Sequence, residues 1–388
     1  MDTAHALQSR TAPSDGGRWF ILDLFKALAC LIIILHHLSA YSPMFDRVML
    51  LAPDPLAMLY NHGRLAVQAF LVVGGYLSAG QWLKMVGPNA VGLPPGFSAW
   101  ALIRKRFLRL SIPLMAALAL TVLVTACVRP WYPHSSLSAA PGLWSLLVHV
   151  AMLQDLWGVP ALSAGIWYVA IDFQLYLIAL LSVMVAAGLQ AWQPRVKLRG
   201  AMVSLWVVLT ALSLDWWNRQ VNMDVQGLYF FGSYGLGMLA CRVRMSRLTV
   251  KGWAVMFVLG LMGLWLEPRL RMGLAWAMAL FLAVWPASEP AVQLQSAWRR
   301  AVQTVAQQSY SIFLIHFVVI LLVSAIWFHA AWQDPWVNLA GLCLTVALSL
   351  WAGSLLYRTV ESPAATGWRW LAWVAVFALS GGVATTLA

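Results

Sequence analysis

Asp23, Lys26, His36 and His37 sit in the first long apolar run, near 20–40, where an acid, a base and two imidazoles are out of place. An ionisable group inside a membrane span costs about 2.5–3.5 kcal/mol on insertion scales, so such groups turn toward a protein interior and are candidates for function. On a helix advancing about 100° per residue, Lys26 and His37 fall within about 20° of one face and about 16 Å apart along the axis. Asp23 lies one turn below Lys26 on that face, and His36 points away. The same residues also fit a boundary ion pair and a helix-end histidine with no chemical task.

Of the thirteen acidic residues, only Asp23 and Asp172 lie clearly within apolar spans. Asp172 enters about six residues deep, or about 9 Å at helical rise, a depth comparable to that of His37 at the end of its own span. A carboxylate there can hold an imidazole in one tautomer and stabilise its protonated form, the orienting role in base catalysis. A hydrogen bond from Asp172 to a neighbouring Trp, Tyr or Gln is the plainer alternative. A second cluster is basic: Arg104, Lys105, Arg106 and Arg109 run into Pro113. Lys26 enters from the same side, as does the stretch from Ser309 through Tyr310 to His316, which should bring His316 about two turns in, level with Lys26. Together they can line a pocket for a phosphorylated ligand, because guanidinium and ammonium groups are the usual phosphate partners. Charges of this kind also set topology and touch lipid headgroups.

The elements that must position these groups are membrane helices. A chain of 388 residues that is 62% apolar and 10% charged falls outside the soluble range, where about a quarter of residues are charged. Its 25 basic against 13 acidic residues read as loop charge, and no nucleic-acid-binding motif is present. The cysteines at 30, 127, 241 and 343 are isolated packing residues with no metal-ligand spacing. Residues 1–18 read as a short cytoplasmic tail ahead of an uncleaved first span.

Apolar runs of spanning length or nearly so occur near 20–40, 63–83, 108–128, 166–188, 201–217, 226–243, 252–266, 271–286, 309–330, 336–357 and 370–387. With the amino terminus inside, the bias of basic residues toward cytoplasmic loops is satisfied if 143–157 does not cross. That leaves 143–157 as a re-entrant or surface helix on the outer side. Arg195, Lys197, Arg199, Arg242, Arg244, Arg247, Lys251, Arg299, Arg300 and Arg358 then face the cytoplasm. Arg269 and Arg271 are exceptions, falling outside between two short spans. The fold class is thus all-α: a polytopic bundle of ten core spans plus an eleventh at the carboxyl end, with no soluble domain. The long loops 41–62 and 129–165 both lie outside. Trp131, Tyr132, Trp144 and Trp157 there are either interfacial belt residues or platforms for sugar rings.

These segments resemble acyltransferase family 3, the integral-membrane O-acyltransferases of surface and exported glycans, from Asp23 to Pro363. The family's first span carries an Arg and then a His at the spacing of Lys26 and His37. Its second span is similar to Gln68 through Leu77, and its basic segment to Arg104 through Pro113. Its Trp-Ser-Leu-x-x-Glu-x-Gln-x-Tyr resembles Trp167 through Tyr176, with Asp172 in place of Glu, alongside Gln174. Ser309, Tyr310, Phe313 and His316 match another motif, and Tyr357, Arg358, Glu361 and Pro363 the closing one. Lys26 for Arg loses the bidentate fork, and Gly74 replaces the usual Ser.

The resemblance implies an acyltransferase domain over 19–363, followed by an additional helix at 364–388, in a bacterial inner membrane. It implies an acyl-CoA donor, by resemblance acetyl-CoA, bound from the cytoplasm by Lys26, Arg104, Lys105, Arg106, Arg109, Tyr310 and His316. It further implies transfer to a hydroxyl of a glycan or glycolipid, with His37 as general base tuned by Asp172, or through an acyl-histidine. Asp23, Trp167, Gln174, Tyr176 and Glu361 support the site, and neither a permanently bound cofactor nor a metal is expected. The rival reading is a flippase for a lipid-linked sugar that uses the same His and Asp as a proton relay.

Overall fold

The computed structural model describes residues 20–246, 249–285 and 297–387; the expected tail at 1–18 and Arg247 lie outside the described residues. The helices are α1 (Phe20–Tyr41), α2 (Pro43–Val48), α3 (Pro53–His62), α4 (Val67–Met85), α5 (Ala99–Val128), α6 (Leu143–Val150) and α7 (Trp167–Trp192). They continue with α8 (Leu198–Asp215), α9 (Gly227–Met245), α10 (Val250–Leu266), α11 (Leu270–Val284), α12 (Ala297–Ala330), α13 (Pro335–Leu356) and α14 (Gly367–Leu387). No strand occurs among the described residues.

Every apolar run read from the sequence falls on a helix. Seven of these helices are long and apolar enough to cross a membrane, and α10 and α11 are shorter apolar helices. The segment 143–157 is helical only over the eight residues of α6. At about 1.5 Å per residue that is about 12 Å, far short of a hydrocarbon core about 30 Å thick. α6 lies instead against α14, where Leu146 packs on Gly381, and it leaves Leu143, Trp144 and Leu147 exposed. Of the aromatic residues expected at the interface, Trp144 and Trp157 are exposed and meet edge to face, whereas Tyr132 is fully buried beside His134 and Phe328.

Two packing relations place the chemistry. α4 and α9 approach backbone to backbone. A methyl at Gly75 would strike the Tyr234 carbonyl, and one at Gly237 the Val72 carbonyl. Small residues permit such contact in place of side-chain burial, which is why these 19-residue helices read as less apolar than their neighbours although they sit in the middle of the core. The second relation is the parallel pairing of α1 with α12. At one end the Phe20 and Trp298 rings meet edge to face at 5.0 Å, with Arg299 over Phe20 at 4.6 Å. Midway, Cys30 Sγ lies 3.8 Å from the Ser309 carbonyl oxygen. At the other end, the loop-rich end of the bundle, His37 meets His316.

Candidate active site

His37 is half-buried on α1, and His316 on α12 is fully buried. His37 Nδ1 lies 2.6 Å from His316 Nε2, the rings nearly parallel at 16° with centroids 4.9 Å apart. His316 Nδ1 lies 2.6 Å from the Phe313 carbonyl oxygen. A carbonyl only accepts, so His316 Nδ1 carries a hydrogen; in neutral His316 the Nε2 then accepts, and His37 Nδ1 donates to it. That tautomer leaves His37 Nε2 with its lone pair, the form a general base requires. Tyr41 stands edge-on to the His37 ring at 5.6 Å. On the opposite edge the backbone passes at Gly165, where φ is +82° and a methyl would come within 3.0 Å of Phe313 Cζ and 3.2 Å of His37 Cε1. Only glycine meets both demands without strain. His36 faces elsewhere, packed on Gly63.

The expected partner of His37, Asp172, is engaged with another group. Arg106 Nη2 donates to Asp172 Oδ2 at 2.5 Å, and the guanidinium lies 5.4 Å from the Tyr176 ring centre. The pairing of Asp172 with His37 is therefore corrected. Residue 172 lies on the face of α7 turned to α5, in the cavity that also holds Lys26, whereas Gly165, seven residues earlier, is the residue beside His37. His316 is corrected too, since it lies with His37 and not beside Lys26. Counted from the start of the apolar run at 309 it appears two turns deep. The helix begins at Ala297, however, and the register set by Phe20 on Trp298 carries His316 to the level of His37.

Lys26, Arg106, Arg109, Asp172, Tyr310 and Glu361 come together around an internal cavity of about 180 Å³. Its acids are both engaged: Asp172 with Arg106, and Glu361 Oε2 as acceptor from Ser311 Oγ at 2.5 Å. Tyr310 donates to the Leu110 carbonyl at 2.7 Å, tying α12 to α5. Arg104 and Lys105 are exposed and do not line the cavity. Asp23 is buried on α1. Gln174 accepts from the Gly227 backbone N–H at 2.8 Å, closing the start of α9, and Trp167 stacks on Phe230 at 5.5 Å.

Between the cavity and the imidazoles stand aromatic side chains. Phe70, Tyr168 and Phe313 line the cavity, with Phe70 to Tyr168 at 5.9 Å and Tyr168 to Phe313 at 5.8 Å. Phe313 continues to His316 at 5.9 Å. Sequence reasoning missed this aromatic layer and Gly165. Phe313 lay inside a matched motif, yet nothing in its spacing says that it stands between two polar centres.

A family model described as an acyltransferase domain, that of acyltransferase family 3, matches residues 19–358. Over 172 residues, 41% of the chain, it is 30% identical to the Regulator of hypoxia-inducible factor 1 of Caenorhabditis elegans, and the match spans about a third (33%) of that relative. No solved structure matches. Because the family match extends over nearly the whole chain, this protein belongs to acyltransferase family 3.

Proposed function

We propose that the protein transfers an acyl group, acetyl in the simplest case, from cytoplasmic acyl-CoA to a hydroxyl of a glycan or glycolipid on the other side of a bacterial inner membrane. Ten core spans and an eleventh at α14 carry it across, with the amino terminus in the cytoplasm and the loop-rich end outside. The nucleotide end of the donor rests on Arg104 and Lys105, where cations are exposed to water. Its narrow arm enters the cavity past Arg109, Lys26 and Tyr310, and the thioester reaches the imidazoles once Phe313 turns aside. His37 Nε2 removes the proton from the acceptor hydroxyl, whose oxygen attacks the thioester carbonyl carbon. The C–S bond breaks, and the sulfur leaves with the proton held by His37, giving an ester and free CoA.

Asp172 acts at a distance from this step, holding Arg106 beside the donor. The single observation that carries the reading is the hydrogen-bonded run Phe313 O, His316, His37. It presents a lone pair one aromatic layer from a cationic cavity. The test is transfer by the purified chain from radiolabelled acetyl-CoA to cell-envelope glycan, together with thermal stabilisation by CoA in detergent. Label incorporated by the native chain and absent with His37→Ala supports the reading; a chain that neither binds CoA nor moves label refutes it.

A further inference from the structure

A second cavity lies apart from the donor cavity. At the loop-rich end a space of about 680 Å³ opens between segment 61–68 and the starts of α7, α9 and α11. It adjoins the candidate base through one short stretch of chain: Gly165 touches His37, and Trp167, two residues on, lines the space. Arg64, Arg269 and Arg271 face it together with Asp155 and Asp224.

Two of the arginines are fixed in place. Arg269 Nη1 and Arg271 Nη2 both donate to the Asn218 carbonyl oxygen, at 2.6 and 3.2 Å, and Arg269 Nε lies 3.2 Å from Glu267. Arg271 has no ion-pair partner among the described residues, and its guanidinium lies 5.0 Å from the Tyr229 ring centre. Two like charges converging on one carbonyl at a short outer turn run against the bias that keeps basic residues inside. Topology does not account for them, and an anion would. On the acidic side, burial raises the Asp155 carboxyl above its usual range and Asp224 adds to the effect. Asp155 also accepts from the Gln154 amide at 2.7 Å, and neither it nor Asp224 forms an ion pair with Arg269 or Arg271 among the described residues.

We infer that this cavity is the acceptor site and that it selects a polyhydroxylated acceptor carrying an anionic group, a carboxylate or a phosphate. The anion pairs with Arg271 and Arg269, with Arg64 at the rim; guanidinium groups match either oxyanion through two parallel hydrogen bonds. Sugar hydroxyls donate to Asp224 and Asp155, and the acceptor hydroxyl projects past Trp167 toward His37. The role as acceptor site rests on the acyl-transfer reading, whereas the choice of an anion rests on the cavity alone.

Binding to the full chain in detergent, without donor, tests it with three probes: an oligoglucuronate for the carboxylate arm, glucose 1-phosphate for the phosphate arm, and an uncharged oligoglucose. The expected result is at least tenfold tighter binding of one anionic probe than of the neutral one. That preference should weaken in high salt, persist in His37→Ala and vanish in the double variant Arg269→Gln, Arg271→Gln. Should the double variant not fold, Arg64→Gln at the exposed rim should weaken the preferred probe severalfold. Equal binding of charged and neutral probes, no binding of any, or a preference indifferent to all three arginines overturns the inference. A chain that prefers anions but transfers no acyl group refutes the transfer reading and leaves this one standing.

Discussion

The two polar centres along α12 are stabilised in different ways. Around His37 the work is done by hydrogen bonds between uncharged groups: a carbonyl fixes one imidazole and that imidazole fixes the next. Around Lys26 and Arg106 it is done by opposite charges, with Asp172 and Glu361 set against the cations. Phe313 and Tyr168 stand between. The two centres share no hydrogen bond, so the tautomer of the base is set by the Phe313 carbonyl and His316 and not by a group of the donor cavity. A carboxylate placed directly on His37, as the sequence suggested, would have coupled them.

Removing the base is the strongest way to break the contrast. His37→Ala should lower transfer by about 10²–10⁴-fold, the usual contribution of a positioned general base, and leave CoA binding intact because the cavity lies beyond the aromatic layer. Initial rates with labelled acetyl-CoA, read beside CoA-induced stabilisation, check both halves. Loss of CoA binding in this variant would show that the two centres are not separate.

The ion pair offers the next largest effect. Asp172→Asn strands the Arg106 guanidinium; breaking one side of a buried pair costs about 3–5 kcal/mol, and the lower end applies because the Arg106 side chain is 30% exposed and that of Asp172 15%. Donor binding should fall with it. The double variant Arg106→Leu, Asp172→Leu should recover most of the stability and none of the donor binding, since an apolar pair leaves no uncompensated charge. Thermal melts and CoA titrations of the single and double variants form the cycle. If Asp172→Asn changed the pH profile of transfer without loss of stability, Asp172 would belong to the base after all.

The helices were legible because hydropathy is one-dimensional information: a run of apolar residues announces a helix whatever it packs against, although only seven of them are long and apolar enough to cross a membrane. Lys26 and His37 could be set on one face because both lie on the same helix. His316 could not be placed, because its height depends on where α12 begins and on the ring contact that sets α12 against α1. Asp172 was assigned to the level of His37 and lies instead in the cavity with Lys26 and Arg106. α7 is apolar on nearly every side, so no polar stripe marks which face turns to α1 and which to α5. Ile171 faces the larger of the two cavities and Asp172 the smaller, one residue apart. Gly165 gave no signal of its own, since a lone glycine before a helix has many ordinary uses.

His316 and Gly165 sharpen the imidazole side of the comparison. His316→Ala removes the acceptor that orients His37 and should cost about 10- to 100-fold in rate, the scale of a small misplacement of a catalytic group. His316→Gln keeps an oxygen able to accept from His37 Nδ1 and should retain more activity than Ala, which a purely space-filling role would not require. Gly165→Ala forces a left-handed backbone and pushes a methyl toward Phe313 and His37. It should destabilise by about 1–3 kcal/mol and lower the rate, with CoA binding unchanged. Equal activity of the Ala and Gln variants at 316 would remove the tautomer argument.

The smallest effects belong to the exposed cations. Arg104 and Lys105 lie outside the cavity and are exposed; a single exposed charge contact contributes about 0–1 kcal/mol and is screened by salt. Arg104→Gln and Lys105→Gln should therefore each raise the apparent KM for the donor no more than about fivefold, leave kcat unchanged, and lose their effect as salt increases. Arg109→Gln, also exposed but on the cavity wall beside Glu361, should weaken donor binding more and lose less of its effect at high salt. Donor titrations at low and high ionic strength separate the two classes. A salt-insensitive loss at Arg104 as large as that at Arg109 would mean that the donor's charged end is enclosed by protein and does not rest on an open face, and would move the entrance of the cavity accordingly.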